Sequence, residues 1–422
     1  MKIMKVRQQD GTIVSIPLGV GSTLEPKVSE IEAYLGCYTD EDIIGLSADF
    51  ENNTFVRLAG AKGLEAGDDF NRFPVYRDRV RCNVADDGTI NSYYGDGTYT
   101  NDGSNGQVMV YQPKFYYKVA PVKLEPQEDG IGYHIRKANY YISSTPKPGF
   151  KLHPAFYDKN GNPVDYILYG AYEDNVDGGE RDLAFSIAGI DIYPCGAIGP
   201  QAELYAQRRG ENWHIEDIQA LSANQFLMMI EYGTPNVCSI LGEGLGSMAG
   251  ATTGLTSSLG NTSGSASGAI SYRGIENPWG NIGKHFLGFH LEPIESKRHV
   301  YKPFVLSNNR YYDNLGDTFC QFTVGIDVIS YIPAEQSASG YASAFGYGTE
   351  EYDWLLLPSE VAGEGSDIDA NSQYPIGGLI QFHPNSQMTG VYGEVSNLFD
   401  FTHAFEYGGA GCRLVYLPSN EA

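Results

Sequence analysis

Short runs of β-branched and aromatic residues, separated by turns rich in Gly, Asn and Asp, most strongly constrain the fold of this chain. Gln107–Val119 (QVMVYQPKFYYKV) and His134–Ser143 (HIRKANYYIS) have the composition of β-strands. Between such runs, Ala85–Gly106 is crowded with turn-forming residues. The 422 residues include 51 Gly, 31 Tyr and 19 Phe, which suits strands and tight turns better than long helices. We therefore predict an α+β fold dominated by β-structure.

Apolar residues at helical spacing are confined to a few segments. The clearest are Gln201–Arg209 and Ile215–Tyr232, and Pro26–Leu35 predicts one further short helix. Leu245–Ala269 consists mainly of Gly, Ser, Thr and Ala, and such a composition predicts a long exposed loop.

Turn signals divide the chain into three predicted parts. Residues 1–36 form an N-terminal attachment segment, in which Lys5–Ile16 has two β-prone runs around the Asp10-Gly11 turn. A segment this small needs a neighbouring chain for its stability. Residues 37–147 form a β-rich domain, and residues 148–422 form a second domain after the Pro-rich turn at 146–149.

Charge and apolar patterning disfavour several classes of partner. The formal net charge of −24 repels nucleic acid and anionic membrane surfaces. No stretch approaches the roughly 20 apolar residues of a membrane helix, so we predict no membrane insertion. The N-terminal MKIMKVRQQDG has no apolar core of a signal peptide. Six scattered cysteines without a CxxC pair indicate reduced thiols made in a cytoplasm.

Sequence motifs for catalysis or metal binding are weak. No GxSxG or HExxH occurs, and Gly280–His285 lacks the spacing and the hydroxyl of a phosphate-binding loop. Asp158–Asn162 and Asp367–Asn371 alternate oxygen ligands, but neither has the Gly that a calcium loop requires at its sixth position. We predict solvated turns there, no metal and no cofactor. Carboxylate pairs for glycoside hydrolysis stay open, because sequence spacing does not predict their separation in space.

Ser271–Gly283 reads SYRGIENPWGNIG, and its residues suit a structural role. Trp279 is a large anchor beside Gly280, the amides of Asn277 and Asn281 suit turns, and we expect an ion pair between Arg273 and Glu276. This stretch resembles the core motif of phage tail or fibre proteins that carry a C-type-lectin-like domain related to formylglycine-generating enzymes.

Further stretches are similar to the same group and extend the resemblance over roughly residues 80–417. They are Gly95–Lys118, Gly149–Phe156, Met229–Gly233 and Gly409–Pro418. The resemblance implies a C-type-lectin-like C-terminal domain preceded by a β-rich N-terminal region. The predicted structural-motif residues are Arg273, Glu276, Asn277, Trp279, Gly280, Asn281 and Arg413.

The sequence departs from the enzymes and calcium-dependent lectins of this fold. The oxidases hold copper with two nearby cysteines late in the domain, whereas Cys412 stands alone and the preceding cysteine is Cys320. The EPN, QPD and WND triplets of calcium-dependent lectins are absent. The resemblance therefore implies display rather than enzymatic activity.

Related phage proteins use the final strands and loops of the fold as a binding face, which here is Tyr374–Tyr407. Its aromatic residues and small polar neighbours suit an adaptable contact surface. The alternation of Phe399, Phe401, His403 and Phe405 equally suits the core-facing side of a strand. The receptor-contact candidates are Tyr374, Gln381, His383, Asn385, Tyr392, Asn397, His403 and Tyr407.

Together these features predict a bacteriophage virion structural protein, a tail or head fibre that attaches to the host surface. It is expected on the virion surface as a homo-oligomer, with a trimer favoured. Its expected partners are other virion proteins, through residues 1–36, and a bacterial surface glycan or protein. A purely structural capsid or tail decoration protein is the alternative, and an envelope-polysaccharide depolymerase is the lesser one.

Overall fold

The computed structural model describes residues 2–7, 13–18, 24–127, 132–174, 183–192, 199–242, 244–245, 250–293, 300–305, 326–327, 332–333, 341–348, 350–356, 358–362, 376–380 and 410–419. The fold is β-dominated, with 35% of residues in strands and 19% in helices. Most strand pairs are antiparallel. The prediction of a β-dominated chain with few helices is confirmed.

The described elements are short and numerous. The strands are β1 (Lys2–Arg7), β2 (Ile13–Leu18), β3 (Ile43–Asp49), β4 (Thr54–Ala59), β5 (Val80–Val84), β6 (Ile90–Tyr93), β7 (Gln107–Pro113), β8 (Tyr116–Pro126), β9 (Tyr133–Ser143), β10 (Lys151–Leu152), β11 (Tyr166–Asp174), β12 (Trp213–Ile215), β13 (Gly264–Ala266), β14 (Ala269–Tyr272), β15 (Ile275–Glu276), β16 (Gly283–Pro293), β17 (Val300–Val305), β18 (Ile326–Asp327), β19 (Ile332–Pro333), β20 (Tyr341–Tyr347), β21 (Pro358–Ala362), β22 (Ile376–Ile380) and β23 (Ala410–Tyr416). The α-helices are α1 (Leu24–Leu35), α2 (Pro74–Arg77), α3 (Gly199–Gln207), α4 (Ile218–Tyr232) and α5 (Cys238–Leu241).

Two large sheets carry most of the strands. A seven-stranded sheet runs in the order β10-β8-β9-β20-β21, with β3 joined to β9 and β4 joined to β3. An eleven-stranded sheet runs in the order β18-β17-β16-β23-β11-β7-β5-β6, with β12, β19 and β22 on side branches. Within it, β16 and β23 are parallel neighbours.

Both sheets cross the predicted domain boundary at residue 147. Strand β7 pairs with β11, and β9 pairs with β20. The aromatic side chains of Tyr117 and Tyr140, from before the boundary, pack edge-to-face against Phe226 after it. The boundary therefore does not separate two hydrophobic cores among the described residues.

The N-terminal segment contains the predicted hairpin and helix. Strands β1 and β2 pair antiparallel, with Arg7 opposite Ile13. Helix α1 is held on β9 because the Asn139 amide and the Tyr141 hydroxyl both donate to the Ala33 carbonyl oxygen, each at 2.9 Å. This helix is therefore part of the main body of the chain.

Helix α4 lies at the centre of the core, and all of its residues are buried. It begins three residues after the predicted Ile215, because the Asp217 carboxylate caps it by accepting from the Ala220 amide at 2.7 Å. It ends at Gly233, whose φ is 70°. None of the described helices is both long and apolar enough to cross a membrane.

The prediction of an exposed loop over Leu245–Ala269 is wrong for part of that segment. Thr253 and Thr256 are buried, and β13 lies within the segment. Their hydroxyls are hydrogen-bonded inside the protein, with Thr253 Oγ1 donating to the Ile187 carbonyl oxygen at 2.8 Å. Small polar residues are buried here because the surrounding structure supplies hydrogen-bond partners.

Candidate functional site

The SYRGIENPWGNIG motif begins with a tight hairpin between β14 and β15. Its two turn residues, Arg273 and Gly274, have φ of 42° and 94°, as a type I′ turn requires. The turn directs the Arg273 side chain toward α4, where Nε and Nη2 donate to the two carboxylate oxygens of Glu231 at 2.8 and 2.7 Å. Arg273 is 6% exposed and Glu231 is fully buried.

The predicted ion pair between Arg273 and Glu276 is therefore wrong. The Glu276 carboxylate instead accepts from the amides of Gly254 and Thr256, at 2.8 and 2.6 Å, and from the Thr256 hydroxyl at 2.8 Å. Burial raises the pKa of Glu276, and these three donors oppose the shift. Burial alone would lower the pKa of Arg273, but its bonds to Glu231 raise it above the ordinary value.

Arg273 also fixes the chain that precedes β5. Its Nη1 donates to the Asn71 side-chain oxygen at 2.8 Å, and its Nη2 donates to the Gly67 carbonyl oxygen at 2.9 Å. The Gly67 amide in turn donates to Glu231 at 3.0 Å. One buried arginine thus joins the hairpin, helix α4 and the segment 67–76.

The asparagines of the motif bind a second buried carboxylate. The side-chain amides of Asn277 and Asn281 donate to Glu173 Oε2 at 3.1 and 2.7 Å. Asn281 Oδ1 accepts from the Ala251 amide at 2.8 Å, whereas the Asn277 side-chain oxygen is buried and has no hydrogen-bond partner among the described residues. Both asparagines have positive φ, 47° and 66°, a conformation that Asn tolerates better than most residues.

The remaining motif residues complete the packing. Trp279 is 1% exposed, and its indole donates to the Gly242 carbonyl oxygen at 3.1 Å. A Cβ on Gly280 would lie 2.4 Å from the Leu245 carbonyl oxygen, so the close approach requires glycine. Arg413 of β23 donates to the carbonyl oxygens of Gly170 and Glu276 at 2.8 and 2.7 Å.

A groove of about 690 Å³ opens beside this network. Its walls come from segments around 38–42, 59–64, 72–74 and 144–145. Arg273 supports the 72–74 wall through Asn71, while Arg57 supports the 59–64 wall by donating to the Leu64 carbonyl oxygen at 3.0 Å. A Cβ on Gly60 would lie 2.2 Å from the Glu41 carbonyl oxygen. The 59–64 and 38–42 walls can therefore approach this closely only because residue 60 is glycine.

Two exposed cations line the groove. Lys62 and Arg72 are exposed and form no ion pair with any other residue that the structure describes. Asp42, a carboxylate of the groove, lies 3.3 Å from the Lys147 ammonium, which also pairs with Asp40 at 2.6 Å. This open, mixed-charge surface can offer ionic contacts and hydrogen bonds to a ligand.

The predicted contact segment Tyr374–Tyr407 lies almost wholly outside the described residues, as do all eight receptor-contact candidates within it. The strands that flank residues 381–409 are described. Ile380 at the end of β22 and Gly411 in β23 both pair with Lys284, which is the second residue of β16. Since neighbouring strands are about 4.8 Å apart, the segment leaves and re-enters the sheet within about 10 Å.

The described residues contain no group of three or more metal-binding side chains. In the Asp158 turn, the carboxylate accepts from the amides of Asn160 and Asn162 at 2.9 and 2.8 Å, as a self-satisfied turn does. The second calcium candidate and Cys320 lie outside the described residues. Cys412 is buried, and its burial raises the pKa of the thiol.

No family model matches this sequence, and no curated protein matches it at a significant level. The site must therefore be interpreted from its own geometry. The two carboxylates outside the motif that bind it, Glu231 and Glu173, belong to no sequence motif for catalysis or metal binding. Glu231 gave a signal, because it is the only charged residue in α4, whereas Glu173 gave none.

Proposed function

We propose that the chain is a non-enzymatic virion structural protein of a bacteriophage, a tail or head fibre that attaches the particle to the host surface. In this proposal its C-terminal part is a C-type-lectin-like domain. The protein lies on the virion surface as a homo-oligomer, and residues 1–36 contact other virion proteins. The motif resemblance supports this assignment.

The proposal depends mainly on one observation: the chain leaves the sheet at the end of β22 and re-enters it at β23. Both ends of the segment 381–409 are fixed on either side of β16, and Arg413 joins the returning strand to the motif through the Glu276 carbonyl oxygen. A rigid scaffold that holds both ends of a connecting segment is the common plan of binding loops. We infer that this segment contacts a glycan or protein of the bacterial envelope.

The hydrogen bonds of the motif carboxylates favour a role in ligand binding over a role in catalysis. The three carboxylates that belong to the motif or contact it, Glu173, Glu231 and Glu276, each accept hydrogen bonds from side chains or amides that hold the fold together. A weak individual contact would suffice for attachment, because several identical chains on one particle multiply the effective affinity.

Competition for adsorption tests the proposal. Host cells are incubated with an excess of the purified full chain, and the fraction of phage that adsorbs is then counted. We expect adsorption to fall with chain concentration, and no reducing sugar to be released from purified envelope. An unrelated acidic protein of similar charge is the control, because it reproduces any general electrostatic effect.

The other outcomes identify the alternatives. Unchanged adsorption at saturating chain, including chain that has been artificially trimerised, would contradict attachment and favour a structural decoration protein. Release of reducing sugar would contradict the non-enzymatic assignment and favour a depolymerase.

A further inference from the structure

We propose that the groove bounded by residues 38–42, 59–64, 72–74 and 144–145 binds an acidic oligosaccharide, a sugar chain that carries carboxylate or phosphate groups. The inference rests on the proposed attachment function and names a ligand class at a second surface of the chain. The groove volume of about 690 Å³ lies within the range of about 300–1,000 Å³ that is usual for small-ligand sites.

Charge selects the anionic class of ligand. The chain has a formal net charge of −24, so most of its surface repels anions. Lys62 and Arg72 are an exception, because neither forms an ion pair with a described carboxylate, while Asp42, which lines the same groove, is paired with Lys147. A sugar anion in the groove would supply the missing partners, and the Arg72 guanidinium suits carboxylate and phosphate oxygens equally.

The rest of the lining suits a sugar more than a simple ion. Thr39 and Thr145 are exposed and add hydroxyls that both donate and accept hydrogen bonds. Leu64 and Pro74 add apolar surface against which the C–H faces of a sugar ring can pack. Glu41, which has no ion pair among the described residues, can accept from a sugar hydroxyl but repels an anionic group.

The walls are held in place before any ligand binds. Arg273 fixes Asn71 next to Arg72, and Arg57 fixes Leu64 near Lys62. A preformed groove loses little conformational entropy on binding, which favours measurable affinity for a short oligosaccharide.

Titration calorimetry on the full chain tests the groove with three probes of equal length: an oligouronate, a sugar-phosphate oligomer and a neutral glucose oligomer. We expect saturable binding of one or both acidic probes and none of the neutral one. The double variant Lys62→Gln/Arg72→Gln should bind about tenfold or more weakly, because it removes two charge-assisted contacts. The matched double variant Lys123→Gln/Lys159→Gln removes the same charge elsewhere and should bind as the parent does.

A substitution that is expected to strengthen binding distinguishes a change in ligand recognition from a loss of folding. Glu41→Gln should strengthen binding of the acidic probe about twofold, because it removes a neighbouring like charge. Binding should weaken as salt is raised, since the contacts lie at the surface. Equal binding of the neutral probe, full binding by the Lys62/Arg72 variant, or no saturable binding of either acidic probe would overturn the proposal.

Failure here is distinguishable from failure of the attachment function. If the chain blocks phage adsorption but binds no acidic oligomer, the groove assignment is overturned while attachment stands. If it binds acidic oligomers through Lys62 and Arg72 but never blocks adsorption, the groove assignment stands and attachment is overturned.

Discussion

Arg273 donates to the Asn71 side chain, Arg72 is the next residue along the chain after Asn71, and the two arginines show different uses of a positive charge. Arg273 is buried, and Glu231 neutralises it with two hydrogen bonds. Arg72 is exposed at the groove, and among the described residues it has no ion pair. Removing a partner from a buried ion pair leaves an uncompensated charge, whereas removing an exposed charge costs the fold little.

The comparison indicates that the motif and the groove are separable in function. The motif charges stabilise the fold and position the groove walls. The groove charges are available to a ligand and contribute little to stability. Substitutions in the two regions should therefore affect different measurements.

The largest effect is expected from Glu231→Ala. It leaves the Arg273 guanidinium buried without its carboxylate, and we expect a loss of about 3–5 kcal/mol in the free energy of unfolding. Urea denaturation followed by circular dichroism measures this loss. Glu41→Ala removes a carboxylate at the groove and should change stability by no more than about 0.5 kcal/mol. Equal effects of the two substitutions would abolish the distinction between the regions.

Asn281→Ala should cost about 2–3 kcal/mol, measured by the same denaturation. It removes the amide that donates to Glu173 and the oxygen that accepts from the Ala251 amide. It also places alanine at a φ of 66°. Asn281→Gly loses the bonds but tolerates this φ, so it should be more stable than the alanine variant by about 1 kcal/mol. An alanine variant as stable as the parent would show that the motif bonds are dispensable.

A pH effect on stability is expected at Asp353, a buried carboxylate whose ion-pair partner is half exposed. Its buried carboxylate contacts the half-exposed Lys151 at 3.0 Å and accepts from the Tyr117 hydroxyl at 2.7 Å. Burial raises the pKa of Asp353 above its ordinary value of 3.8. The protonated form is therefore favoured in the folded state, and its stabilising contribution is lost as pH rises from about 3.8 through the raised pKa.

Unfolding measured across this range should show a smaller fall in stability with pH for Asp353→Asn than for the parent. Asp165→Asn is the control, because Asp165 is exposed and paired with Lys114 at the surface. A parent-like pH dependence in the Asp353 variant would contradict the assignment.

The smallest effect on stability is expected from Lys62→Gln/Arg72→Gln. Both side chains are exposed, so the free energy of unfolding should stay within about 0.5 kcal/mol of the parent. Thermal and urea unfolding give the value. A loss above about 2 kcal/mol would show that these charges support the fold and would remove the contrast with Arg273.

The sequence predicts local features of this chain better than its long-range contacts. The aromatic runs correctly indicate β7 and β9, and the apolar spacing indicates α4. The Arg273–Glu276 pair was wrong because nearness in sequence across a type I′ turn does not bring the two side chains together.

The groove is not visible in the sequence for a related reason. Three of its wall segments lie within residues 38–74 and the fourth at 144–145, and no motif in the sequence links them or includes Lys62 and Arg72. Glu173 is likewise brought to Asn277 and Asn281 only by the folded structure, across more than 100 positions.

Binding of the fluorescently labelled full chain to intact host cells tests the central claim most directly. A companion variant carries alanine at Gln381, His383, Asn385 and Tyr392, and its unfolding free energy is checked against the parent. The account predicts saturable binding by the parent and loss of binding by an equally stable variant. Absence of binding by a folded parent, or full binding by the folded variant, would contradict it.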